Sequence, residues 1–510
     1  MPVPSSGVPV DPQEAPDLVA ALRADLEGAS YTVDGVAALL GPVASAALHR
    51  DQPLPADLAT RASDEPAATL VRLFALGHPA TRAALDAALP SVRTDGLRAL
   101  GLAEASGDEV RATCDLRPYG DEAHEWWVAS DLSELSTGAP LRPDHVLGIG
   151  GASTTLAQWT IRRPAARALD LGTGCGVQSL HLGAHAGHVV ATDLSARALG
   201  YARFNAALAG LGADRLELRQ GSLFDPVAGE RFDLVVSNPP FVITPRRDGV
   251  PLYEYRDGGL VGDGVVEALV RGVAAHLEPG GVAQLLGNWE VRPGGSWRER
   301  WQEWLEGTGL DAWVVQREEQ DPAEYAELWA RDGGARPGVA GFEELYAAWL
   351  EDFAARDVER IGFGVVTVQR PATERAPWHD LVEVPGPVAR TLGGTVDAGL
   401  RARTRLAELG DAGLLDTAWR VAEDVTQESH ARFGEQDPTV VLVRQGGGLR
   451  RTVRLDTVTA GLLSVCDGDL TARAALVAIA ALLERDTDAT VEAALPVLRD
   501  LVSDGLLLPG

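Results

Sequence analysis

The tetrapeptide Asn238-Pro239-Pro240-Phe241 sets a side-chain amide before two prolines and an aromatic ring after them, directly behind the apolar run FDLVVS. Two consecutive prolines hold a chain stiffly extended and offer no backbone N–H groups. The Asn238 side-chain oxygen and the Pro239 carbonyl then form a pair of neighbouring acceptors. Such a pair can take both N–H bonds of a planar amide or aromatic amine. The nitrogen of that group is otherwise a poor nucleophile, because its lone pair is delocalised, and the two bonds point the lone pair at an electrophile. Phe241 can stack on the planar group. Catalysis of this kind rests on positioning. A bland loop has little reason to combine these residues.

A second cluster lies upstream, where Asp170-Leu171-Gly172-Thr173-Gly174-Cys175-Gly176 follows an apolar strand and opens the helical run VQSLHL. Glycines at these positions let the backbone turn sharply beside a ligand, and a helix start supplies free N–H groups. The dinucleotide fingerprint G-x-G-x-x-G is not met, because the residue three after Gly174 is Val177. The next strand ends at Asp193, about twenty residues on, where a carboxylate can accept hydrogen bonds from two ribose hydroxyls. Asp193 also suits the cap of a helix starting near Ser195. A third strand runs into Gly221-Ser222-Leu223.

The spacing D-x-G-x-G-x-G resembles motif I of class I S-adenosylmethionine-dependent methyltransferases. Together with the tetrapeptide, residues from about Val146 to Gly287 resemble the N-methyltransferases that include release-factor glutamine, adenine-N6 and guanine-N2 enzymes. The stretch FVITPRRDGV and then YRDGGLVGDG looks most like the glutamine enzymes, whereas Phe241 in place of Tyr is frequent in guanine-N2 enzymes. The resemblance implies S-adenosyl-L-methionine as cofactor, bound by Asp170, Gly172, Thr173, Gly174, Gly176, Asp193, Ser222, Leu223 and Asn238, with Thr155 in VLGIGGASTTLAQWT as a further contact. It implies Asn238, Pro239, Pro240 and Phe241 as the catalytic set. Many relatives carry Asp at position 222, so the serine here alters the expected adenine contact.

These residues need a sheet to hold them. ALDLG, HVVATD, RLELRQ, FDLVVS and GVAQLLG alternate with helical stretches, as in an α/β doubly wound, Rossmann-like fold with both faces of a parallel sheet covered. DAWVVQRE and IGFGVVTVQR are two further candidate strands, and a seven-stranded sheet is expected. We expect a disordered N-terminus over 1–16, a helical, winged-helix-like domain over 17–135, a methyltransferase domain over 136–371 with a helical insertion at about 320–360, and a C-terminal domain over 372–510. The last contains the hairpin VVLVRQGGGLRRTVRLD and is also compatible with a winged helix.

The chain of 510 residues is 45% hydrophobic and 23% charged, a globular balance able to form several cores. Its 73 acidic residues outnumber 45 basic ones, all arginine, for a formal charge of -28. Long-range attraction to nucleic acid is therefore not expected. Cys114, Cys175 and Cys466 support neither a disulfide framework nor a cysteine metal site, and a reducing, cytoplasmic setting without membrane attachment is expected. His181 and His185 lack the glutamate of a zinc-binding helix and read as a solvent-facing pair, so no metal is expected. Trp297, Trp301 and Trp304 read as a packed stripe. Arg246, Arg247 and Arg256, near the substrate entrance, suit either a grip on substrate or a solvated surface.

The favoured reading is methyl transfer to a protein glutamine side-chain amide, with a release-factor-like protein as partner. The alternatives are an RNA or DNA base N-methyltransferase and a non-catalytic S-adenosylmethionine-binding scaffold.

Overall fold

The computed structural model describes residues 7–50, 52–137, 141–247, 250, 252–332, 337–339, 341–435 and 437–510. It divides into two compact units. The larger takes the chain up to Ala157, Pro164–Gly309 and Glu318–Glu374; the smaller takes Gln158–Arg163, Leu310–Arg317 and Arg375–Gly510.

The larger unit is built on six strands: β1 Ala165–Leu171, β2 Ala186–Asp193, β3 Leu216–Gln220, β4 Phe232–Ser237, β5 Leu277–Val291 and β6 Arg360–Gln369. Their order in the sheet is β6-β5-β4-β1-β2-β3. β1 to β5 are parallel, and β6 runs antiparallel to β5 from Val282 opposite Gln369 to Val291 opposite Arg360. Their central residues, such as Val189, Val190, Leu234 and Val236, are buried because helices cover both faces. The strand order reverses between β1 and β4, and the gap above their carboxyl ends is where such sheets hold ligands. The Ser237 hydroxyl donates to Leu171 O at 2.7 Å and ties the two strand ends together. Helix Trp297–Leu305, closed by a capping box of Ser296 and Glu299, buries Trp297, Trp301 and Trp304 beside Trp289.

The N-terminal part of this unit starts with helices Pro16–Gly28, Val33–Leu48 and Leu54–Thr60. It then follows the element order of a winged helix: Pro66–Leu70 with one further wide turn to Ala75, strand Ala80–Thr81, helices Arg82–Ala88 and Arg93–Ala99, and the hairpin Ala103–Ser106 with Glu109–Ala112. Glu125–Ser130 pairs with Asp115–Gly120 in a second ribbon. No separate core ends at residue 135 as expected, because one apolar cluster runs from Val19 through Trp127 to Tyr201, Phe204 and Leu208. Asn205 joins the parts by polar contacts: its amide donates to Ala129 O and to Cys175 O at 2.8 Å, and its oxygen accepts from Ala129 N at 2.7 Å. His181 is likewise not solvent-facing. It is buried against Trp126, with Nε2 2.7 Å from the Tyr119 hydroxyl. Of the expected disordered start, residues 1–6 lie outside the described residues; Gly7 O accepts from the Tyr201 hydroxyl at 2.7 Å, and Val10 N–H donates to Leu100 O at 3.0 Å.

In the smaller unit, strand residues Ala312–Gln316 pair in parallel with His379–Glu383. Its core gathers Leu414, Trp419, Leu462, Leu476, Leu498 and Leu507. Three short strands lie in the order Asp467–Thr471, Ala418–Val421, Leu507–Pro509, and the hairpin of Val440–Gln445 with Thr452–Leu455 gains a third strand, Val425–His430. Arg451 is bound to Asp504 at 2.7 Å. Among the described residues no single helix is long and apolar enough to cross a membrane. The bent pair Pro16–Gly28 and Val33–Leu48 passes only when taken together, and its Leu22, Leu26 and Leu40 are buried in the core.

Candidate active site

After β1 the chain turns through Gly172 to Gly176 into helix Val177–Gly183. The Gly172 and Thr173 N–H groups donate to Thr192 O at 2.9 Å each, which fastens the turn to β2. Gly174 (φ +55°) and Gly176 (φ +92°) lie in the left-handed region that favours glycine. A Cβ at Gly176 would stand 3.1 Å from Ala202 Cα, whereas one at Gly174 would meet nothing within 4 Å. The turn is therefore packed tightly behind and open in front.

Asp170 supports this turn from below. Its Oδ2 accepts from the Thr173 and Ser179 hydroxyls, both at 2.6 Å. Burial pushes its pKa up to about 6, against the pull of those two hydroxyls. Asp193 at the end of β2 accepts Gly174 N–H on Oδ2 and Ser195 N–H on Oδ1, each at 2.8 Å. Burial raises its pKa, the Ser195 and Gly174 N–H groups oppose the rise, and the Glu254 charge adds to it. A carboxylate has about four acceptor sites, so Asp193 keeps acceptor capacity for a ligand beside these N–H groups.

A cavity of about 350 Å³ opens in front of the turn, within the range of small-molecule sites. Gly172, Thr173, Gly174, Asp193, Ser222, Leu223, Asn238, Pro239 and Pro240 line it, so nine of the expected residues meet at one site. Asp170, Gly176, Thr155 and Phe241 do not line it. The first two shape the turn from behind. Thr155 is half-buried on helix Gly151–Trp159, and it is Ser153 of that helix that reaches the wall, its carbonyl bound by Gln178 Nε2 at 2.8 Å.

Phe241 is a correction of greater consequence. It is buried away from the cavity, with its ring centroid 5.5 Å from Phe363 and 6.3 Å from Trp329. Extended backbone sends successive side chains to opposite sides. Asn238 and Pro240 are partly exposed, while Pro239 and Phe241 are buried. The aromatic ring on the cavity wall is Tyr255, edge-on to buried His145 at 5.9 Å between centroids. Sequence reasoning missed both of these residues and Glu254. The signal for Tyr255 and Glu254 lay in YEYRD, a cluster of aromatic and charged residues in the loop after the tetrapeptide.

Asn238 Oδ1 is buried and has no hydrogen-bond partner among the described residues. The loop arginines are mostly engaged: Arg247 pairs with Glu351 at 2.5 Å, and buried Arg256 pairs with Asp332 at 3.1 Å. Half-buried Arg246 lies 3.3 Å from Leu260 O.

Residues 148–292 match the family described as methyltransferase small domain. Residues 28–113 and 400–509 match two families each described as a domain of unknown function, DUF7059 and DUF7782. The chain is similar to the release factor glutamine methyltransferase of Cereibacter sphaeroides, at 42% identity over 135 residues that cover 25% of this chain and 48% of that protein. The release factor glutamine methyltransferase of Bordetella pertussis is 39% identical over 162 residues, 29% of this chain and 56% of that protein. The ribosomal protein uL3 glutamine methyltransferase of Xanthomonas campestris pv. campestris is 36% identical over 132 residues, 24% of this chain and 42% of that protein. The chain thus spans about half the length of the curated relatives it matches.

Proposed function

We propose, from a chain whose residues 148–292 form a class I S-adenosylmethionine-dependent methyltransferase domain of the small-domain family, that it methylates a planar nitrogen, with a protein glutamine side-chain amide as acceptor. The observation that carries this reading is Asn238 Oδ1, a buried oxygen without a partner among the described residues, in a residue that lines the cavity. Leaving a buried acceptor unpaired costs about 1–3 kcal/mol, which is recovered when a ligand N–H fills it.

The residues fit S-adenosyl-L-methionine: the turn at Gly174 is open in front, and the Asp193 carboxylate keeps acceptor capacity. In this reading Gly172 to Gly174 hold the amino-acid part, Asp193 the ribose hydroxyls, and Ser222 with Leu223 the adenine. When bound, the cofactor supplies an activated methyl group and a neutral leaving group. Asn238 Oδ1 and the Pro239 carbonyl accept the two N–H bonds of the acceptor amide and turn its lone pair toward the cavity; once the methyl group is in place the nitrogen gives up one of these protons, which passes to solvent. The prolines keep those two oxygens at a fixed separation. The cavity wall, formed by residues such as Val265 and Leu269, excludes water.

The charge around the cavity supports a protein acceptor. Arg247 and Arg256 are neutralised by Glu351 and Asp332, while Glu254, Leu147, Leu223 and Leu260 are exposed on the cavity wall. The winged-helix segment is no more basic. On its helix Arg93–Ala99, Arg93 is bound to Asp86 at 3.0 Å and Arg98 lies 3.5 Å from Asp95, and its wing turns through Gly107, Asp108 and Glu109. Affinity for nucleic acid depends on cations that neutralise phosphates, and these are already paired.

Transfer of labelled methyl groups to purified release factors and ribosomal proteins, beside RNA and DNA, tests the assignment. We expect label on a glutamine; label in nucleic acid alone would sink it. Within that assay Asn238→Ala should lower kcat by about 10²–10³-fold and leave cofactor Kd nearly unchanged, whereas Asp193→Ala should chiefly raise Kd. Equal effects on Kd would contradict the roles given to both residues.

A further inference from the structure

Asn238 can hold a nitrogen in place only if its own backbone is held. At the near end the anchor is the Ser237 hydroxyl on Leu171 O. At the far end, helix Pro322–Asp332 brings Tyr325 to the chain two residues beyond Phe241. The Tyr325 hydroxyl accepts Ile243 N–H at 3.0 Å and the Asn288 side-chain amide at 2.5 Å. The ring is buried among Trp329, Trp349 and Phe353, with centroids 5.7–6.0 Å apart. The same helix grips the neighbouring loop: Trp329 O accepts from Arg256 at 3.0 Å, Asp332 accepts from Tyr255 at 3.1 Å, and Arg256 O accepts Val242 N–H at 3.0 Å. The stiff pair Pro239-Pro240 therefore lies between two pinned ends.

We infer that Tyr325 is a positioning residue for methyl transfer, anchoring the segment behind the tetrapeptide so that the Asn238 and Pro239 oxygens are already in place when the acceptor nitrogen arrives. This rests on the role of Asn238 proposed above. Without the hydroxyl, Ile243 N–H loses its acceptor and the far end of the segment keeps only its bonds to the neighbouring loop, such as Val242 N–H on Arg256 O, while the aromatic packing stays. A shift of about an ångström in a reacting group lowers rates by up to about a hundredfold.

Tyr325→Phe tests this in the full-length protein. We expect kcat to fall by roughly 10–100-fold with cofactor Kd unchanged. In the ligand-free variant, the Ile243 amide should exchange its hydrogen faster and the Asn238 side-chain amide NMR signal should move. In the Asn238→Ala background the same substitution should cost clearly less in kcat than it does alone, because one of the two oxygens that the anchor positions is gone. Independent, multiplicative losses in the double variant would overturn the inference. So would an unchanged kcat and an unmoved Asn238 signal in Tyr325→Phe, with the wild type active. No methyl transfer by the wild type to any acceptor would overturn the proposed function and this role together.

Discussion

Asp170→Asn separates the electrostatics of the cofactor turn from its hydrogen bonds. Asp170 is fully buried, its Oδ2 is shared by Thr173 and Ser179, and its Oδ1 has no partner among the described residues. Burial lifts its pKa from the ordinary 3.8 to about 6. Between those values the folded chain binds more protons at this site than the unfolded chain, so the Asp170 contribution to stability is lost as pH rises through the window. At ~1.4 kcal/mol per pH unit the loss approaches about 3 kcal/mol above neutrality, of which about 2 kcal/mol falls between about pH 4.5 and 7.5. Asparagine stays neutral and can still accept both hydroxyls. Its unpaired NH2 costs about 1–3 kcal/mol, equally at every pH. The stability difference between variant and wild type should therefore move by about 2 kcal/mol in favour of the variant as pH rises across that range, whatever its starting offset. Urea unfolding of both proteins in parallel, at three or four pH values, measures it. Two curves that stay parallel within about 0.5 kcal/mol would refute a buried, ionising Asp170.

Two further substitutions bear on the corrected geometry. Phe241→Leu should lower stability by about 1–3 kcal/mol through lost packing on Trp329 and Phe363, with acceptor KM nearly unchanged; a ring stacked on the acceptor, worth about 0.5–1.5 kcal/mol, would instead raise KM up to about tenfold. Gly176→Ala forces a side chain into φ +92° against Ala202; thermal unfolding should show a loss of about 1–3 kcal/mol, and a neutral result would mean that the turn is looser than its packing indicates.

Much of the site was legible because its parts are local. The glycine turn, Asp193 and the tetrapeptide each sit at the end of a short apolar run, and the alternation of strands and helices brings such ends to one edge of the sheet. What the sequence hid is long-range. The 185-residue separation between Arg23 and Leu208 O, bonded at 2.6 Å, belongs to a core that joins the N-terminal helices to the part of the chain that carries the parallel sheet. No periodicity within either segment announces that union, so a boundary at residue 135 looked natural. His181 was misread for a similar reason. Its partner Tyr119 comes from a distant ribbon, and a histidine on a helix has no intrinsic preference between water and a buried hydroxyl. Tyr325, 82 residues from Ile243, could not be linked to the tetrapeptide without the fold.

Phe241 was misassigned although its orientation was within reach of the sequence. Consecutive prolines impose extended backbone, and extended backbone alternates its side chains. If Asn238 faces a ligand, the residue three places on faces away from it. The buried and half-buried pattern across residues 238–241 follows that rule, and the packing of Phe241 on Trp329 and Phe363 completes it. Phe or Tyr at this position is therefore a question of what the core behind it can accommodate. A tyrosine there would carry its hydroxyl into the aromatic cluster around Trp329, where the Tyr325 hydroxyl already takes Ile243 N–H. The identity of the fourth residue then says little about the acceptor, and discrimination between acceptors falls to the groups that do line the cavity, Tyr255, Glu254 and His145.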